Sequence, residues 1–124
     1  MAAPLLKNGK IEEKGKTWGR FKLLKREGYI LKIIGLIWYE NIIEKLEQKH
    51  NVKQHEVKEV LANNPKFRYV ENGLQPDENV YAALGRTDAG RYIIIFFIYK
   101  KDKQALVVSS RDMTRAERKK YEQK

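Results

Sequence analysis

The chain has 124 residues and no cysteine, and its 26 Lys/Arg against 16 Asp/Glu leave a formal charge of +10. Such a length holds one compact domain and hardly two, and the missing cysteines exclude disulfides and thiolate metal sites. With 34% charged and 42% hydrophobic residues the composition excludes a disordered chain, and the basic surplus points to a polyanionic partner.

The charge is uneven along the chain. Residues 1–35 carry nine Lys/Arg against three Glu, whereas residues 36–124 carry seventeen against thirteen Asp/Glu, so the surpluses are +6 and +4. The sequence divides accordingly into a basic N-terminal extension, 1–35, and a main domain, 36–124. Residues 1–22, punctuated by Gly9, Gly15 and Gly19 and studded with Lys7, Lys10, Lys14, Lys16 and Arg20, read as a loose basic arm. A solubilising role suits it better than an RNA-tracking one. Its apolar residues come late and no small-residue cleavage site follows, so no secretory signal is expected and the cytoplasm is the expected compartment. The run Tyr29–Trp38 is too short to cross a bilayer and holds Lys32; its β-branched and aromatic content predicts a first strand near 29–38.

Two short helices follow. Over Asn41–His50, Ile42, Ile43 and Leu46 share a stripe at helical spacing, and Asn51 suits the left-handed residue that ends a helix. Over Gln54–Ala62, Val57, Val60 and Leu61 do the same, before the stop at Asn63-Asn64-Pro65. Strands are predicted at Phe67–Val70, Val80–Arg86, Arg91–Lys100 and Ala105–Arg111, the middle pair forming a hairpin about Thr87-Asp88-Ala89-Gly90. Tyr92–Tyr99 is apolar on both parities, the mark of a strand covered on both faces. Thr114 with Glu117 three residues later is a capping box that opens a last helix. The order β-α-α-β-β-β-β-α predicts an α+β domain, an antiparallel sheet packed by two N-terminal helices and a C-terminal helix.

Candidate chemistry gathers at the hairpin. A four-residue loop 87–90 places Arg86 opposite Arg91, where two guanidinium forks could clamp a phosphate; neutralisation by Asp88 or splaying into water accounts for them equally well. Arg111 ends the last strand, and Arg115 and Lys119 lie one helical turn apart, a spacing that can follow a phosphate backbone or simply form a solvated face. Arg118 with Glu122 reads as a supporting ion pair. His50 and His55 are spaced wrongly for a shared metal; His50 could transfer a proton, or it could simply complement the helix dipole. The phosphate-binding glycine loop, nucleophile elbow and aspartate cluster are all missing. The residues therefore predict no metal and no cofactor. If RNA is cut, the ribose 2′-hydroxyl is the internal nucleophile and arginines stabilise the charge on the phosphate.

The segment Ala83-Leu-Gly-Arg-Thr-Asp-Ala-Gly-Arg-Tyr92, the apolar strand after it, and Ser110-Arg-Asp-Met-Thr-Arg-Ala-Glu-Arg118 with Tyr121 resemble the BrnT toxin family of type II toxin–antitoxin systems. Trp38-Tyr-Glu-Asn41 and Lys49-His-Asn-Val52 match the family's opening pattern, except that Asn51 stands where glycine is usual. The resemblance covers roughly 36–124. It implies a RelE-like fold, endoribonuclease activity that blocks translation and growth, a cognate BrnA-type antitoxin, and operator DNA bound only through the antitoxin complex. No membrane partner is implied. Carried onto this chain, its motifs contain His50, Arg86, Arg91, Arg111 and Arg115: Arg86 and Arg91 are assigned as catalytic on the scissile phosphate, His50 as catalytic in proton transfer, and Arg111 and Arg115 as RNA-binding, with Lys119 added from its place one turn after Arg115. A fold alone does not settle activity, so a non-catalytic module that binds nucleic acid or a partner, a degenerate toxin acting as operon regulator, stands beside it.

Overall fold

The periodicities of the sequence find their partner surfaces in a computed structural model, which describes residues 10–18 and 31–123. The elements run β1 (Lys10–Trp18), β2 (Ile33–Tyr39), α1 (Glu40–His50), α2 (Gln54–Ala62), β3 (Lys66–Glu71), β4 (Val80–Arg86), β5 (Tyr92–Tyr99), β6 (Gln104–Asp112) and α3 (Arg115–Glu122). The strands form one six-stranded sheet in the order β1-β2-β6-β5-β4-β3. This is the expected α+β, RelE-like architecture.

Two features depart from the sequence reading. Residues 10–18 of the basic arm form a strand that lies antiparallel along β2, Lys10 against Tyr39 and Glu12 against Ile37. The rest of the arm, 1–9 and 19–22, lies outside the described residues. A strand rich in lysine and glutamate is a typical sheet edge, and local composition cannot distinguish it from a loop, because its hydrogen bonds come from β2. The sheet, secondly, is not antiparallel throughout: β2 runs parallel to β6, Leu36 against Ala105. Strands β3 to β6 form an antiparallel meander, but β2 reaches it through two helices, and such a connection leaves its direction free.

Helices α1 and α2 cover one face of the sheet. Leu46, Val57, Val60 and Leu61 pack there against Ile33, Leu36, Trp38, Ala83, Ile93, Ile95 and Phe97, all of them buried. The other face carries a smaller cluster, Ala82, Leu84 and Ile94, against which Phe96 of β5 packs together with Met113 and Tyr121 of the α3 region. Both parities of β5 are thus covered over its first half, as its composition predicts. Asn51 ends α1 in the left-handed region, φ 52° and ψ 40°, and Thr114 caps α3 by accepting from the Glu117 N–H at 3.1 Å. Among the described residues no helix is long and apolar enough to cross a membrane.

Candidate nucleic-acid interface at the hairpin end

The hairpin register decides what its arginines can do. Arg86 pairs across the ladder with Tyr92, not with Arg91. Thr87 closes the loop instead: its N–H donates to the Arg91 carbonyl at 2.9 Å, and its carbonyl and hydroxyl accept from the N–H groups of Gly90 (2.9 Å) and Arg91 (3.0 Å). The loop proper is Asp88-Ala89-Gly90, with Gly90 at φ 92°, the left-handed position that such a three-residue connection requires. Shifting the expected register by one residue sends Arg86 and Arg91 to opposite faces of the sheet. They are not cross-strand neighbours. The loop is pinned to α2, where the Asn63 amide donates to the Arg86 carbonyl (3.0 Å) and Asp88 (2.9 Å). Gly85 supports this docking, since a Cβ there would stand 3.0 Å from Val60 Cγ1.

Arg91 turns to the α1–α2 face and is held by four acceptors. Its Nε donates to Asp112 at 2.7 Å, Nη1 to the Asn51 carbonyl at 2.5 Å and to Glu56 at 3.2 Å, and Nη2 to the His50 carbonyl at 3.0 Å. Glu56 also accepts from the Lys53 N–H at 3.1 Å, so one guanidinium joins the end of α1, the start of α2 and the end of β6. The bond to Asp112, then that to Glu56, hold its pKa above the usual arginine value despite partial burial.

Arg86 turns to the α3 face and meets a different environment. Its Cζ lies 4.8 Å from the centroid of the Tyr92 ring, and its nearest polar partner is the Gly90 carbonyl at 3.5 Å. Arg118 of α3 stacks closer on the same ring, Cζ to centroid 3.9 Å. Tyr92 is fixed by donating its hydroxyl to Glu122 (3.1 Å) and by meeting Tyr121 edge-on, centroids 6.0 Å apart. Burial pushes the Tyr121 phenol up in pKa, the Arg86 charge pulling the other way. Arg86, Tyr92, Met113 and Arg118, together with Gly90, Arg91 and Asp112, line a cleft of about 500 Å³.

The remaining sequence candidates separate along the same line. Arg111 is committed: Nη1 and Nη2 grip the two oxygens of Glu117 at 2.7 and 3.0 Å, tying β6 to the first turn of α3. That grip lowers the Glu117 pKa to about 2. Lys66 holds the other end of α3, donating to the Tyr121 and Gln123 carbonyls at 2.5 and 2.6 Å. Arg115 and Lys119 do share one side of α3, lining with Arg118, Glu122 and Gln123 a second cleft of about 480 Å³. His50 lines neither cleft, and its carbonyl accepts from Arg91 Nη2 at 3.0 Å. Among the described residues no three His, Asp or Glu side chains are grouped to hold a metal ion.

The sequence reading did not place Arg118 among its candidate site residues, although it lines both clefts. Its predicted pairing with Glu122 is present, Nε to carboxylate 3.8 Å, but the stack on Tyr92 joins residues distant in the chain. The available signal was that both residues fall inside the recognised motifs. Residues 38–117 match the family model described as the ribonuclease toxin, BrnT, of a type II toxin–antitoxin system. No curated protein matches the chain.

Proposed function

From the premise that this chain belongs to the BrnT family of type II toxins, we propose that it is an endoribonuclease whose cleavage site is the Arg86–Tyr92–Arg118 cleft. The observation that carries this reading is the state of Arg86. It is a guanidinium at a cleft wall with one long carbonyl contact and, among the described residues, no carboxylate partner, while Arg91 and Arg111 are held by carboxylates of the fold. A phosphate is the ligand such a fork accepts in two parallel hydrogen bonds. With phosphate on Arg86, the ribose 2′-oxygen attacks phosphorus as the bond to the 5′-oxygen breaks. The arginine stabilises the charge that develops on the non-bridging oxygens. The nucleophile's proton leaves to solvent, the departing 5′-oxygen takes one up, and no metal is needed. Arg115 and Lys119 hold flanking phosphates, and Arg91 and Arg111 act by positioning the hairpin and α3. His50 enters only through its carbonyl under Arg91, which leaves proton transfer by its imidazole without a place in this scheme.

The experiment is direct. Purified chain is mixed with an unstructured RNA, with and without a chelator, and the product ends are mapped. Cyclic 2′,3′-phosphate and 5′-hydroxyl ends, unchanged by chelator and blocked by 2′-deoxy substitution at the cut, are expected. Salt-dependent RNA binding without products would overturn the enzymatic reading and leave a nucleic-acid-binding module. In bacteria, induction of the chain alone is expected to stop translation and growth. Co-expression of a small basic-face-binding antitoxin encoded beside it, through which alone operator DNA is bound, is expected to restore growth.

A further inference from the structure

We propose that Arg118, laid on the Tyr92 ring, is a stacking platform for a nucleobase of the RNA, next to the phosphate held by Arg86, and that it favours a purine. The proposal rests on the ribonuclease reading for the position of the phosphate, but not for the stacking itself.

Three observations converge on it. The Cζ–centroid distance of 3.9 Å puts the guanidinium in van der Waals contact with one face of the phenol ring. The Arg118 side chain remains 54% exposed, so part of it is open to a ligand. A guanidinium plane backed by an aromatic ring offers a base both dispersion and cation–π attraction. One carboxylate faces both groups: Glu122 accepts from the Tyr92 hydroxyl at 3.1 Å and lies 3.8 Å from Arg118 Nε.

The third observation is topographic. Arg118 is the lining residue common to the two clefts, the first holding Arg86 and the second holding Arg115 and Lys119. A strand with one phosphate on Arg86 and a neighbouring one on Arg115 or Lys119 must pass over Arg118, where its intervening base meets the stacked guanidinium. The larger π-face of a purine covers more of that plane than a pyrimidine does, a preference set by stacking strength and not by hydrogen-bond readout.

The discriminating variant is Arg118→Lys, which keeps the charge and removes the plane. The full chain and this variant are compared on short RNAs carrying purine, pyrimidine or no base beside the cut, with thermal unfolding as a check on the fold. About a tenfold loss in kcat/KM, borne by KM, together with loss of the purine preference and an unchanged salt slope, is expected. Wild-type kcat/KM and an unchanged purine-to-pyrimidine ratio in Arg118→Lys would overturn the platform. A second measurement keeps the two readings apart. A 2-aminopurine RNA with a 2′-deoxy sugar at the cut is titrated against both proteins, and its fluorescence reports stacking without cleavage. Quenching by the wild-type chain that Arg118→Lys abolishes supports the platform even if no RNA is ever cut. Equal quenching by both, or none by the wild type, overturns it.

Discussion

Arg86 and Arg91 stand five residues apart on one hairpin, yet they occupy opposite faces of the sheet and lead opposite lives. Arg91 faces the two-helix layer and finds there two carboxylates and two helix-end carbonyls. Arg86 faces the α3 layer and finds an aromatic ring, a second arginine and a cleft. The difference teaches that a cation's availability depends on the number of acceptors its surroundings supply, and not on its residue type or its motif. Where the fold supplies four acceptors, the guanidinium holds the structure together; where it supplies one weak one, most of the guanidinium's donors stay uncommitted.

Exchanging alanine for each arginine breaks this contrast in opposite directions. Arg86→Ala is expected to lower RNA cleavage by roughly 10²-fold or more, about 2.7 kcal/mol of transition-state stabilisation, while urea unfolding moves by no more than about 0.5 kcal/mol. Arg91→Ala is expected to cost about 2–3 kcal/mol of stability in the same unfolding assay, because it strands Glu56 and two helix-end carbonyls. A wild-type urea midpoint for Arg91→Ala, or a large shift for Arg86→Ala, would remove the contrast.

The α3 anchor sharpens the comparison at a smaller scale. Glu117→Gln should loosen α3 by about 1 kcal/mol, the usual worth of a helix cap, and raise KM for RNA more than it lowers kcat. The pH dependence has a definite sign. The Arg111 guanidinium depresses the Glu117 carboxyl to about 2 from an ordinary 4.5. Its contribution is therefore fully present above about pH 4.5 and is lost as pH falls through about 2. Tyrosine fluorescence of the α3 layer, followed during acid titration, should report that loss in the wild type and not in Glu117→Gln. The smallest effect is expected from Arg115→Ala with Lys119→Ala, which should reduce the slope of log affinity against log salt by about 1.4, two phosphate contacts on a single strand.

Much of this architecture could be read from the chain. The extents of α2 and β4 follow the apolar spacing and the Asn63-Asn64-Pro65 stop to the residue, because amphipathic period and chain stops are local properties. The left-handed Asn51 and the Thr114–Glu117 cap are local too. The β1 strand was illegible, since Lys10–Trp18 has no apolar face of its own and becomes a strand only along β2. So was the parallel seating of β2 on β6, which two intervening helices leave unconstrained by any turn.

For the site, residue types were legible and partners were not. The motif around Gly85, Arg86, Gly90 and Arg91 lies within residues 38–117, from which family membership follows. The sequence by itself therefore determined the family, the α+β class, the element order and the pool of arginines from which a site could be drawn. Only the tertiary structure decided which of them remain open. One residue of hairpin register, set by the Thr87 closure and the Gly90 backbone, sends Arg91 to its acceptors and Arg86 to its cleft. The fold of α3 then brings Arg118 onto Tyr92, a contact between residues 26 positions apart that no local pattern encodes.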